Sequence, residues 1–300
     1  MTDPLPSSRL TCHATLGLIA ATLTIAIPAH AAERRGGGKL LLTNGVSSID
    51  GAAGGGLASW AVITGNETED GIGGTAHFTY ITLPDFTVRS AGAAIGISDR
   101  IELSFADQRF GTGKVGAALG LGRGFTFGQQ IWSAKLRLAG DAVWAQDTIL
   151  PQIAMGVQYK QARRAPVLNA VGAARTKDVD FYLAATKLYL SQGLLLNATV
   201  RLTRANQLGL LGFGGPRQNG RSTQFEGSIG KMLSRRLVVG AEYRTKPDNL
   251  GFAREDDAYD VFLAWAAHRN VSLTVAYTDL GDIATFRNQR GLFVSLQGGF

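Results

Sequence analysis

Cysteine is all but missing from this chain: Cys12 stands alone, just ahead of an apolar stretch near the N-terminus. A single thiol that far forward excludes a disulfide framework, a thiolate zinc site and a cysteine nucleophile from everything downstream. Histidine is scarce as well, four in 300 residues, and His13 and His30 both fall in the N-terminal region. His77 and His268 lie too far apart in sequence to suggest a metal centre, and they read as polar positions on a strand and in a turn. Long hydrophobic runs are missing too. Past the N-terminal stretch no segment approaches the roughly 18 apolar residues of a membrane helix. Hydropathy alone would class such a chain as soluble, yet the same profile belongs to a membrane barrel, whose strands are apolar on one face only.

What is present begins with Arg9, an apolar stretch from about Ala14 to Ile27, then Pro28 and the triplet Ala29-His30-Ala31. A charged start, an apolar middle and an A-x-A site predict a signal peptide over 1–31 and a mature chain from Ala32. Thr15, Gly17, Thr22 and Thr24 interrupt the stretch and argue against an anchor; Cys12 precedes the stretch, which argues against a lipoprotein. The net charge is +7 and stays so after cleavage, because Arg9 and Asp3 cancel. A basic secreted chain faces lipopolysaccharide phosphates or anionic solutes, and its compartment argues against nucleic acid. Glycine, 39 of 300 residues, suits tight turns and crowded sheet positions rather than long helices.

The dominant period is two. Ile101, Leu103 and Phe105 alternate with Glu102 and Ser104; Trp132, Ala134 and Leu136 with Ser133, Lys135 and Arg137; Leu194, Leu196 and Val200 with Asn197, Thr199 and Arg201. The same alternation runs through 149–160, 235–245, 258–266 and 270–279. Weaker strands are expected at 39–46, 57–65, 74–83, 85–97, 178–190 and 222–232, with a last one at 291–300. That makes fourteen, or twelve if the first pair is dropped. Links alternate between short (Ser98, 141–148, 191–193, 233–234, 267–269) and long (109–129, 161–177, 205–221, 246–257, 280–290), except for a short hairpin near 83–85. A bacterial barrel sorts its loops this way, with short periplasmic turns and long outer loops; a β-sandwich has no reason to. In the last strand Leu292, Val294, Leu296 and Phe300 share a face, and Phe300 is the expected signal for the barrel-assembly machinery. Trp132, Tyr159, Tyr243, Tyr259, Trp265, Tyr277 and Phe300 lie on the apolar parity as candidate interfacial girdles. The prediction is all-β: a transmembrane antiparallel up-and-down barrel of about 12–14 strands over 32–300, set in lipid and lipopolysaccharide.

The opposite parity carries Lys135, Arg137, Lys160, Arg201 and Arg244 against Glu102, Glu226, Glu242 and Asp260. Charges in that number need water or one another. Either the lumen conducts, or cross-strand pairs such as Lys135 with Glu102 close it; fourteen strands would enclose more than side chains fill, which favours a hydrated path. The loop 205–221 is unusually apolar, and Leu208, Leu210, Leu211 and Phe213 are candidates for a constriction at the mouth or a hydrophobic entry; a hairpin packed on a neighbouring loop is the alternative. Gly120-Leu121-Gly122-Arg123-Gly124 lacks the Lys-Ser/Thr of a phosphate loop and reads as outer loop. Glu255-Asp256-Asp257 with Asp248 has the oxygen chemistry of a cation site but reads as a solvated loop. Arg163, Arg164, Arg175 and Lys177 are set to pair with lipopolysaccharide phosphates or to be solvated. A lipid hydrolase would want a histidine beside a serine on the lipid face; His77 has only Thr79 nearby in sequence and no third partner.

Gly38-Lys39-Leu40-Leu41-Leu42-Thr43-Asn44-Gly45-Val46, Arg100-Ile101-Glu102-Leu103-Ser104-Phe105, Gly116-Ala117-Ala118-Leu119-Gly120-Leu121-Gly122 and Lys246-Pro247-Asp248-Asn249-Leu250-Gly251 occur together here. With them the chain, from about residue 38 onward, resembles the proteobacterial domain-of-unknown-function family 3034, a set of outer-membrane barrels. The resemblance implies fold and compartment, and no catalytic, cofactor or metal residue. The expected role is a porin or channel for small solutes, without enzymatic activity; the alternatives are uptake of an apolar substrate and a non-conducting structural or adhesion barrel.

Overall fold

A strand with one apolar face must bury that face, and a row of such strands satisfies its backbone in lipid only by closing on itself. The computed structural model describes residues 38–300; the expected signal peptide, 1–31, lies outside the described residues. Two short strands come first, β1 (Val46–Ser47) and β2 (Ala53–Gly54), paired with each other. Then follow β3 (Ile72–Thr82), β4 (Thr87–Ile97), β5 (Ile101–Gly111), β6 (Thr126–Ala139), β7 (Gln152–Ala162), β8 (Lys177–Tyr189), β9 (Leu194–Thr203), β10 (Ser222–Ser234), β11 (Leu237–Arg244), β12 (Ala258–His268), β13 (Val271–Asp279) and β14 (Arg290–Gly299). These twelve pair in sequence order, each antiparallel to the next, and β14 closes on β3 with Val294 opposite Tyr80 and Gln297 opposite His77.

Alternation decides which side each residue takes. In β12, Tyr259, Val261, Leu263 and Trp265 are exposed while Asp260, Phe262 and Ala264 are buried. Phe225, Ile229, Val200, Leu202, Leu183 and Met155 extend the same outward band around the wall. A continuous apolar belt of that extent is incompatible with water and marks a lipid-embedded surface. The candidate girdle residues Trp132, Tyr159, Tyr243, Tyr259, Trp265, Tyr277 and Phe300 all stand on it.

Connections on the side of Phe300 are 98–100, 140–151, 190–193, 235–236 and 269–270; on the opposite side they are 83–86, 112–125, 163–176, 204–221, 245–257 and 280–289. The first side is therefore periplasmic and the second outer. The outer loops hold two short helices, α1 (Gly113–Ala118) and α2 (Ala165–Ala170).

Two expected strands are not part of the wall. Residues 43–46 and 57–65 lie buried inside the barrel and 39–42 sit at its periplasmic mouth, so the wall has twelve strands and not fourteen. Their composition explains it: Leu57, Ala61 and Ile63 on one parity and Ala58, Trp60 and Val62 on the other are all buried, a segment covered on both sides. A membrane strand with a wet lumen behind it would alternate instead.

Candidate functional site

Residues 39–65 thread the lumen from the periplasmic end, turn at Ile49-Asp50-Gly51 and return. The run Gly51-Ala52-Ala53-Gly54-Gly55-Gly56 makes the passage possible. A β-carbon on Gly55 would stand 2.0 Å from a carboxylate oxygen of Glu242, so only glycine lets the backbone through there.

A chain inside a barrel must satisfy its peptide groups, and the short β1–β2 pair and the plug's own turns account for only part of them. The wall's side chains supply much of the rest. Glu102 accepts from the backbone N–H of Ala53 (3.0 Å) and of Thr64 (2.8 Å). Glu242 accepts from Leu57 N (2.7 Å) and Glu226 from Ser59 N (2.8 Å). Lys135 donates to the carbonyls of Ala53 and Val62, Arg244 to that of Leu57, and Ser90 and Gln108 to that of Ile49. Trp60 wedges its indole into the wall and donates to Ser228 Oγ at 2.8 Å.

In the outer half of the lumen six buried charges meet. Lys160 lies 3.2 Å from Asp180 and 3.4 Å from Asp50; Arg244 lies 3.0 Å from Asp50 and 3.3 Å from Glu226; Arg201 pairs with Glu226 and approaches Asp180 at 3.8 Å. The wall alone supplies three cations and two carboxylates. Asp50, carried by the plug, is the third anion and makes the cluster neutral.

The remaining lumen candidates divide. Glu102 and Lys135 are register partners and pair at 3.1 Å. Glu242 and Asp260 are register partners too, both buried. Arg137 stands apart at the periplasmic rim, paired with Asp99 and Asp141. Sequence reasoning missed Asp50 and Asp180. Asp180 shares parity with Tyr182, Ala184 and Thr186, opposite the outward Phe181 and Leu183, which is a readable signal. Asp50 gives none, because its role depends on the plug's path.

The loop 204–221 closes the outer mouth. Leu208, Leu210, Leu211 and Phe213 are all buried; Leu210 and Leu211 share an apolar cluster with Ile49 and Leu57 of the plug, and Phe213 packs with Leu168 and Ala205. The Leu208 carbonyl accepts from Gln129 and Lys160. Gln207 is the tether: its backbone N–H donates to both oxygens of Glu255 (2.8 and 2.9 Å), and its side-chain oxygen accepts from Lys246 at 3.1 Å. Burial pushes the Glu255 carboxyl up to about 7, against the pull of the Lys246 ammonium. Burial likewise lowers Lys246.

The acidic loop residues are engaged elsewhere: Asp248 with Arg217, Asp257 with Tyr243 and the Lys246 backbone, Glu255 with Gln207. Among the described residues no group of three or more metal-ligating side chains converges. The glycine-rich stretch forms α1 and its exposed outer loop. His77 faces the lumen, 3.5 Å from Ser90, and Thr79 bonds Ser295; neither is on the lipid face.

A closed twelve-strand barrel with an apolar exterior and a charged, plugged interior is an outer-membrane β-barrel. The chain belongs to the family described as protein of unknown function DUF3034, whose profile matches residues 43–297 and so includes most of the plug. No curated protein matches the sequence significantly. Among solved structures the chain is similar to the KdgM porin (11% identity, 75% of this chain and 99% of that one, TM-score 0.49). It is similar also to the NanC porin (8%, 76% and 98%, TM-score 0.48). Outer membrane phospholipase A from Escherichia coli is a further likeness (12%, 75% and 91%, TM-score 0.41). Likenesses at these scores carry no function across.

Proposed function

We propose that the protein is a non-enzymatic outer-membrane channel for small polar solutes, held shut at rest by residues 39–65 and by the outer cap at 205–214. One observation carries this reading. The side chains that hold the plug along the lumen are charged and polar, and no plug residue enters the barrel's strand ladder. Once the plug leaves, the same carboxylates, lysine and guanidiniums line a water-filled path, and water replaces the hydrogen bonds it gave up.

The neutral six-charge cluster favours a second reading, a permanently closed structural barrel. Burial of Leu208, Leu210, Leu211 and Phe213 speaks against an apolar entry at this loop. Planar-bilayer recording separates the two readings. Full-length protein should be mostly silent and a variant lacking 39–65 should conduct steadily. A deletion variant that keeps the heat-resistant electrophoretic mobility of a folded barrel yet stays silent supports the structural barrel and overturns the channel.

A further inference from the structure

On the lipid-facing wall, near the outer rim, four guanidiniums gather where a barrel has no internal use for them. Arg89 of β4 and Arg109 of β5 are direct register partners on the outward parity, two residues from the rim pair Thr87 and Gly111. Like charges directly opposite in an antiparallel pair repel. The same cross-strand row continues through Gly128 of β6, opposite Arg109, to Arg163, whose backbone N–H donates to the Gly128 carbonyl. Arg164 follows, its guanidinium 5.7 Å from the Phe125 ring centre. Arg89 is stacked over Tyr80 at 5.6 Å, which fixes its aim. Among the described residues Asp107 alone pairs with these four arginines through a carboxylate, reaching Arg109 and Arg163. Three positive charges are left over.

The space around them has the matching shape. A cavity of about 140 Å³ is lined by Arg109, Thr126, Phe127, Gly128, Arg163 and Arg164, and Gly128 contributes no side chain to fill it. A second, of about 280 Å³, is lined by Phe78, Arg89, Ala91, Asp107 and Arg109. Arg109 borders both. From the rim toward the membrane centre the outward rows run from Arg89 and Arg109, through Phe78, Ala91 and Asp107, to Ala93, Phe105 and Trp132. Basic groups above, apolar groups below and one carboxylate between them, tied to Arg109 and Arg163, describe a receptor for an amphiphile with an anionic head.

We propose that this row is a binding site for the phosphorylated head of an outer-leaflet glycolipid, the lipid A portion of lipopolysaccharide. Its phosphate is gripped by Arg89, Arg109 and Arg163, and an acyl chain lies along Phe78 and Ala91. Guanidiniums suit phosphate because their paired N–H groups meet two oxygens at once. Arg175, another arginine of the same outer loop, belongs to a different contact, with Asn219 of the neighbouring loop.

The test is native mass spectrometry of the whole protein in detergent, titrated with bis-phosphorylated lipid A, with its fully dephosphorylated form and with inorganic phosphate. Bis-phosphorylated lipid A should be retained, the dephosphorylated form and free phosphate should not. R89Q/R109Q should weaken retention about tenfold or more, the loss of charge-assisted contacts. R175Q should leave it unchanged. D107N, which removes the competing carboxylate, should strengthen it, a gain that damage to the wall would not produce. Equal binding of phosphorylated and dephosphorylated lipid, retention of free phosphate alone, or undiminished retention by a folded R89Q/R109Q variant overturns the proposal.

Discussion

The plug's most sensitive point is Asp50. Its carboxylate is fully buried, 3.0 Å from Arg244 and 3.4 Å from Lys160. In Asp50→Asn the docked plug faces Lys160, Arg201 and Arg244 with only Asp180 and Glu226 to balance them. Removing one partner from a buried ion pair costs about 3–5 kcal/mol, because the other charge stays buried without compensation. Here the cost falls on the docked state alone, since water relieves the cations once the plug leaves. The docked-to-open ratio should therefore fall by about a hundred- to a few-thousand-fold. Single-channel recording of refolded D50N should show frequent openings where the parent is silent. Adding Lys160→Gln restores two charges of each sign, so D50N/K160Q should close again. Loss of contacts alone predicts the reverse, a double variant more open than the single one. Silence of a folded D50N, or a double variant more open than D50N, refutes the reasoning.

Three further outcomes follow from the same geometry. Gly55→Val puts side-chain atoms where Glu242 and Trp60 stand, and this overpacking of about 1–3 kcal/mol should raise both open probability and periplasmic protease cleavage within 39–65. At the outer mouth the docked cap favours neutral Glu255. Its stabilisation by protonation is complete below the ordinary value of 4.5 and is lost as pH rises to about 7. Amide exchange at Gln207 to Phe213, corrected for intrinsic rate, should therefore speed up across that window in the parent and stay flat in Glu255→Gln. On the lipid face Leu263→Arg should destabilise the barrel in vesicles by about 2–4 kcal/mol in denaturant titrations, because the outward parity at mid-strand meets hydrocarbon.

The wall was legible because membrane strands obey one rule, alternation, over every turn of sequence; Ile101 to Phe105 and Leu194 to Leu202 announce their two faces without any knowledge of partners. The loop parity located the periplasmic side by the same economy. Residues 57–65 misled because apolarity on both parities (Leu57, Ala61 and Ile63; Ala58, Trp60 and Val62) reads as strand when the partner is unknown, although the failure to alternate was itself the sign of a segment buried all round. The glycine run at 51–56 belonged to that sign, being too small to face lipid. The charge cluster was largely readable: Lys160, Arg201, Glu226 and Arg244 follow from parity, Asp180 carries the same signal, and Asp50 alone acquires its partners only when the chain turns inside the barrel. The outer arginine row was half legible: Arg163 and Arg164 stood out in their loop as partners for lipopolysaccharide phosphates, while the other two did not. Arg89 and Arg109 become neighbours only through the β4–β5 register, which a shift of one residue would undo.

That residues 39–65 are the stopper of a conducting barrel is tested most directly by fastening them in place. Ser47 Oγ lies 2.8 Å from Gln297 Oε1 on the last wall strand, and the only native thiol, Cys12, lies within the expected signal peptide. In a D50N background, Ser47→Cys and Gln297→Cys joined by a short reducible thiol cross-linker should abolish the openings, and reduction should bring them back. Openings that persist unchanged with residue 47 fixed to residue 297 would contradict the account.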